Sequence, residues 1–302
     1  TIQTNNIFHQ EQGYIFELNK EVIRKLESQL LDILEKLIVR LVNMKKYLTG
    51  FQLKIIGLIT MVIDHLAEFF NFLGVPVWFH WIGRITAPIF LFESSEGFVH
   101  TSNRKKYMLR LLIGFWGMNF INLILNEYFL VNGDIIANNI FSTLFLGTVY
   151  MQSIAYLKER KFVTSFFWFF IPILIGLISF IFTMGEMSKI KLICLQLYTL
   201  FLPSLFVTEG GFLMVVLGVL FYIFHGKRHF QILSLGIISI ISAAANGFSD
   251  LFSNNYQWMM FFSAIPIILY NGEKGKGLKS FFYYFYPAHI IVFAIFSFLL
   301  RQ

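Results

Sequence analysis

Along most of this chain apolar residues do not alternate with polar ones but run together, broken by short polar loops. The runs cover roughly 55–73, 82–100, 108–126, 139–157, 162–184, 205–224, 230–252, 257–271 and 280–300. About 20 consecutive apolar residues carry a helix across the hydrocarbon core of a bilayer, so the pattern predicts nine crossing helices. A tenth would be added if Lys189 to Val207 also crossed. Pro203 and Gly210-Gly211 break that stretch, and we read it as re-entrant or lying at the outer interface.

The first 44 residues follow a different pattern. Between Glu17 and Val42, Ile23, Leu26, Leu30, Ile33, Leu37 and Leu41 recur at three- and four-residue steps. Such spacing predicts an amphipathic helix on the membrane or on the bundle; a short coiled coil that sets oligomeric state is the alternative. The expected fold is thus all-α and polytopic: a transmembrane bundle over residues 45–302, preceded by a cytoplasmic amphipathic extension over residues 1–44. These polar first 44 residues, and a first hydrophobic run that is long and internally charged, do not read as a cleavable signal peptide.

Composition agrees with the pattern. A chain that is 57% hydrophobic and 14% charged, with mean hydropathy +0.67, is not an ordinary soluble domain. The net charge of +7 sits in short loops: Lys45, Lys46 and Lys54, then Arg104 to Lys106, Lys158 to Lys161, Lys227 and Arg228, and Lys274 and Lys276. Every second loop is basic, so the charge reports orientation, with the N-terminus in the cytoplasm and the C-terminus outside. It gives no support to nucleic-acid binding. The single cysteine, Cys194, allows no internal disulfide and no paired-cysteine metal or redox motif.

The exceptions to the apolar pattern are where chemistry is expected. The first run carries Asp64, His65 and Glu68, and the second Arg84, Glu93 and Glu96. A charge at bilayer depth costs about 2.5 to 3.5 kcal/mol on insertion scales, so these groups must face one another or a polar cavity. Asp64 and His65 are neighbours, about 100° apart around the helix, which makes Glu68 the better partner for His65 and leaves Asp64 to meet Arg84. A histidine oriented by a carboxylate has the makings of a general base; a purely structural polar cluster is the competing reading.

Glu93, Glu96 and His100 share a stripe on the second helix, and Pro88 permits a kink between them and Arg84. Arg84 and Glu96 are roughly 18 Å apart along a helix, too far to serve one atom together. One end suits an outward acceptor and the other a cytoplasmic donor, with Arg104, Lys105 and Lys106 placed to hold phosphates. Tyr286 and His289, around Pro287, share a face of the last run. No histidine and carboxylate spacing of the HExxH kind suggests a metal.

Taken together, LTGFQLKIIGLITMVIDH, WIGRITAPIFLFESSEGFVHTSNRKKYMLRL, NNIFSTLFLGT, the ILYNGEKG loop and FFYYFYPAH resemble the TraX family, over about Lys45 to Leu300. That family takes its name from the F-pilin N-acetylase of conjugative plasmids and is similar to the integral-membrane acyltransferases that use acyl-CoA. The matching positions are Asp64 and His65, Arg84, Glu96, Asn103 and Arg104, and Tyr286 with His289. Two features depart from the pattern: the extension over residues 1–44, and Glu93 where an apolar residue is expected.

The resemblance implies a multi-pass protein of the bacterial inner membrane that transfers acetyl from cytoplasmic acetyl-CoA to an amine or hydroxyl of a pilin, another secreted peptide or an envelope polymer. Asp64, His65, Arg84 and His289 would be catalytic, with Arg84 or His289 donating to the oxyanion. Glu96, Asn103, Arg104 and Tyr286 would bind the co-substrate. A proton-coupled transporter of a small solute uses similar intramembrane groups, and a scaffold in an envelope complex is the non-enzymatic alternative.

Overall fold

In a computed structural model of the chain, the residues described are 47–129, 135–183, 188–245, 247–277 and 279–301, with Lys25, Gln29, Asp32 and Lys36 before them. Two compact units emerge, Thr1–Lys45 and Lys46–Gln302. The four described residues of the first are helical and exposed, and Lys36 Nζ meets Asp32 Oδ2 one turn away at 2.7 Å, an exposed pair worth only a few tenths of a kcal/mol, ~0.3 to 0.5. The amphipathic helix expected over Glu17 to Val42 otherwise lies outside the described residues.

The second unit is helical, and no strand occurs among its described residues. Its α-helices are α1 (Gly50–Phe69), α2 (Trp78–Gly83), α3 (Thr86–His100), α4 (Arg104–Tyr128), α5 (Ile140–Lys158), α6 (Phe162–Thr183), α7 (Lys189–Phe201), α8 (Gly211–Ile223), α9 (Arg228–Ala244), α10 (Ala264–Ile268) and α11 (Lys279–Arg301). A 3-10 helix, Tyr256–Ser263, leads into α10. Among the described residues, four helices are long and apolar enough to cross a membrane: α1, α4, α5, and α11 from Phe281. Elsewhere the expected runs appear as α6, apolar over Phe162–Ile178, and as the shorter apolar helices Gly211–Ile223, Arg228–Ala244 and Tyr256–Ile268. The second run is divided between α2 and α3 rather than kinked at Pro88. Pro88 lies in the first turn of α3, where a missing N–H removes no helical bond.

Helix α1 begins on a reciprocal cap: Thr49 Oγ1 accepts from the Gln52 amide, and the Gln52 side chain accepts from the Thr49 amide at 2.8 Å. Its remaining orphan donors are met by a distant loop. The Gly50 amide donates to Glu273 O at 2.8 Å and the Phe51 amide to Lys274 O at 3.0 Å, so the first turn is fully hydrogen-bonded. Asn271 N donates to Leu48 O at 2.8 Å, closing the clasp. The ILYNGEKG loop therefore brings Lys274 and Lys276 to the start of α1.

Helix α5 is the most enclosed of the four long helices. Its Ser142, Thr143, Thr148, Gln152 and Ser153 are all buried, and the hydroxyls of Ser142 and Thr143 hold the loop before α8. Thr143 Oγ1 lies 2.7 Å from Thr208 Oγ1 and donates to Glu209 O at 2.6 Å, while Ser142 Oγ lies 2.9 Å from Thr208 Oγ1. Around α5, Phe92, Phe98, Leu146 and Phe221 are essentially inaccessible. By contrast α6 exposes Phe166, Phe167, Ile171 and Leu174, a contiguous apolar surface suited to lipid.

Candidate active site

Asp64, His65 and Arg84 of the first two runs are gathered at one place because α2 lies close against α1, while Glu93 and Glu96 lie at a second one. Gly83 makes that approach possible: a β-carbon there would collide with the Asp64 side chain. Asp64 Oδ2 accepts from Arg84 Nη2 at 2.5 Å and Oδ1 lies 2.8 Å from His80 Nδ1. Arg84 also donates from Nη1 to Gln257 Oε1 at 3.1 Å and from Nε to His80 O at 3.3 Å. Three of the five guanidinium N–H groups are spent in this way, leaving two. The side chains of Asp64 and Arg84 are 15% and 26% exposed, so they sit at the edge of a cavity, not sealed from it.

His65 is buried and faces His289, not Glu68. His65 Nδ1 and His289 Nε2 are 2.6 Å apart, with the rings stacked at 4.9 Å between centroids. His289 Nδ1 lies 2.9 Å from Phe285 O, a carbonyl that only accepts, so that nitrogen carries the proton. For neutral rings it follows that His289 Nε2 accepts and His65 Nδ1 donates, which leaves the lone pair on His65 Nε2. Glu68, expected to orient His65, lies 3.8 Å from Nε2 and is 43% exposed. Asn138 Nδ2 stands between them, donating to both Glu68 oxygens at 3.0 Å and lying 3.4 Å from His65 Nε2.

Tyr286 is buried beside this pair. Its hydroxyl donates to Glu209 Oε2 at 3.0 Å and accepts from the Ile140 amide at 3.2 Å. Glu209 Oε2 also takes the Asn139 amide at 2.6 Å, so the carboxylate is fixed at the start of α5.

Two cavities adjoin these residues. The smaller, about 70 Å³, is lined by Asp64, His65, Arg84, Glu209 and Gln257. The larger, about 420 Å³, opens beside Lys54, His100, Arg110, Lys274 and Lys276. Met61, Phe90, Ile140 and Tyr286 line both, so one thin wall of side chains separates them. From Lys54 to His65 is roughly 16 Å along α1 at 1.5 Å per residue.

Of the residues expected to bind the co-substrate, Glu96 and Tyr286 line the larger cavity and Asn103 and Arg104 do not, nor do Lys105 and Lys106. Asn103 caps α4, its Oδ1 accepting from the Lys106 amide at 2.9 Å, and the Arg104 guanidinium lies over the Phe98 ring at 5.1 Å. The cations that do line it come from α1, α4 and the clasp loop. Within it, Glu93 Oε2 pairs with Lys54 Nζ at 2.7 Å while Oε1 is buried and has no hydrogen-bond partner.

Sequence reasoning missed His80, Asn138, Glu209 and Gln257. Glu209 had a usable signal, a lone carboxylate between an apolar run and Gly210-Gly211. Asn138 and Gln257 had none, being neutral amides in ordinary loop contexts.

An all-helical chain with apolar crossing helices around a buried polar site is a membrane protein. The profile of the family described as TraX protein matches residues 49–297, and the chain belongs to that family. It is also similar to a protein described as probable fimbrial assembly protein FimC, serogroup H1, from Dichelobacter nodosus. The two are 41% identical over 68 residues, 21% of this chain and 27% of that protein. The matched stretch thus spans about a quarter of the relative's length. No solved structure matches the chain.

Proposed function

We propose that this protein is an integral-membrane acetyltransferase that takes an acetyl group from acetyl-CoA and delivers it to an amine or hydroxyl of a pilin, another secreted peptide or an envelope polymer. The observation that carries this reading is the His65 ring, oriented by His289, with an unprotonated Nε2 beside a cavity that adjoins a second, cation-lined one. Membership of the TraX family and the fimbrial wording of the relative's description support an acceptor of the pilin kind.

On this reading acetyl-CoA enters at the basic end, where Lys54, Arg110, Lys274 and Lys276 offer its phosphates charge and hydrogen bonds. The thioester reaches the wall formed by Met61, Phe90, Ile140 and Tyr286. As the acceptor attacks the thioester carbon, its proton passes to His65 Nε2; the carbon–sulfur bond then breaks, and the thiolate leaves with a proton returned from the imidazolium. The two unspent N–H groups of Arg84 stabilise the developing oxyanion. Both nitrogens of His289 are engaged, so it is a positioning residue for His65.

We place the chain in the inner membrane with nine passes and its basic end in the cytoplasm. The deciding experiment uses the full chain in detergent with labelled acetyl-CoA and a peptide carrying a free amino terminus. Saturable binding and transfer of label are expected. A protein that binds no acetyl-CoA but moves a solute in proteoliposomes under a proton gradient is a transporter, and the acetyltransferase reading fails.

A further inference from the structure

Helix α3 ends at the basic rim, and its last turn presents Glu96 and His100 on one side, one turn apart. His225, in the turn between α8 and α9, faces them. His225 Nε2 lies 3.3 Å from Glu96 Oε1, His100 Nδ1 lies 4.0 Å from Glu96 Oε2, and the two imidazole centroids are 5.6 Å apart. One ligand atom from each of the three lies within 4.8 Å of the others. Glu96 is buried, and among the described residues its carboxylate has these two imidazoles as its charge partners within 4.0 Å. Arg228 interacts electrostatically with Glu96 but makes its close contacts elsewhere, 4.6 Å over the Phe92 ring and donating to Gln231 Oε1 at 3.1 Å.

We propose that Glu96, His100 and His225 form a binding site for a first-row transition ion of the Zn²⁺ type, which ties the end of α3 to the α8–α9 turn at the rim of the larger cavity. Two imidazoles and one carboxylate form the N/O donor set such ions take, whereas Ca²⁺ and Mg²⁺ favour all-oxygen sites. Donor atoms held about 2.0 to 2.1 Å from one tetrahedral ion lie ~3.3 Å apart, the present separation of Glu96 from His225. His100 needs only a side-chain rotation to close, and it is exposed enough to make one. Its Nδ1 sits 2.8 Å from Glu96 O, so in the present rotamer that nitrogen carries the proton and Nε2 keeps a lone pair; the closing rotation exchanges this backbone bond for the ion. Three protein donors leave a further position to water on the cavity side, which Glu96 and His100 line.

This inference does not depend on the acetyl-transfer reading, since its test measures metal alone. The full chain, freed of any histidine tag and stripped with chelator in detergent, is titrated with Zn²⁺ and then with Co²⁺. The expected result is one equivalent bound per chain, with visible Co²⁺ absorption of a four- or five-coordinate site. His100→Ala and His225→Ala should each weaken Zn²⁺ binding by about tenfold or more; His225→Gln, which keeps the size of the side chain, does the same if the alanine variant folds poorly. Failure to bind one equivalent overturns the site. Equal binding by the parent and the variants overturns it too.

Discussion

His65 and His289 occupy unequal positions although they are the same residue type 2.6 Å apart. His289 spends both nitrogens, one on Phe285 O and one on His65, while His65 Nε2 has only the long 3.4 Å approach of Asn138 Nδ2 beside the cavity. His65→Ala is therefore expected to bind acetyl-CoA as the parent does while transfer falls by about 100-fold or more, and His65→Gln should not restore it, because an amide takes no proton at neutral pH. His289→Ala should lower turnover less and leave co-substrate affinity unchanged; His289→Gln, whose carbonyl accepts the same His65 N–H, should recover part of the loss. Near-parent turnover in folded His65→Ala, with loss in His289→Ala, would exchange the two roles. A second test concerns Asp64 and Arg84, 2.5 Å apart. Breaking a buried pair from one side costs up to about 3 to 5 kcal/mol, less here because both side chains reach the cavity. Asp64→Asn and Arg84→Gln should each lower thermal stability in detergent, and the double variant should cost less than their sum. Additive losses would mean that His80 and Gln257, not Asp64, hold the guanidinium.

Elements decide which of these residues meet, and this is where the sequence was only partly legible. The apolar runs and the charged exceptions within them were visible from periodicity and insertion cost, and so was the Asp64–Arg84 pair, because both halves are close in sequence and costly alone. The His65–His289 contact was not, since nothing local says that α11 returns against α1, and Glu68 was the nearest apparent partner. Asn103 illustrates a second kind of miss: a residue set beside cations in a motif is here the N-cap of α4. Asn103→Ala should cost about 0.5 to 2 kcal/mol of stability and leave acetyl-CoA affinity unchanged; a lowered affinity with unchanged melting would assign it to the co-substrate after all. Gly83 carries the opposite expectation. A β-carbon there meets the Asp64 side chain and forces α2 off α1, so Gly83→Ala should lower melting temperature and transfer rate together. Parent-like behaviour in both measurements would show that the close approach is not needed.

At the scale of the whole second unit, the basic loops collect at one end. The clasp loop brings Lys274 and Lys276 to the start of α1; His100 and His225 meet across α3 and the α8–α9 turn; Lys158, closing α5, lies 5.0 Å over the Tyr222 ring near the end of α8. Chain direction then constrains the segment between α6 and α8. Helix α6 starts from this end after Lys161 and α8 ends at it before His225, so the proposed nine passes require that α7 between them make no net crossing. Labelling checks this directly. Cys194, on α7, is first replaced by serine so that no native thiol reacts, and a cysteine is then placed at Lys105 or Lys227, both exposed in basic turns. Lys227 is preferable to Gly226, whose φ of 79° strains any side chain. With nine passes both cysteines react only with reagents admitted to the cytoplasm. A cysteine at Lys227 that is labelled from outside intact cells, while one at Lys105 is not, would mean that α7 crosses, and would move the His225 turn and the clasp loop to the outer face.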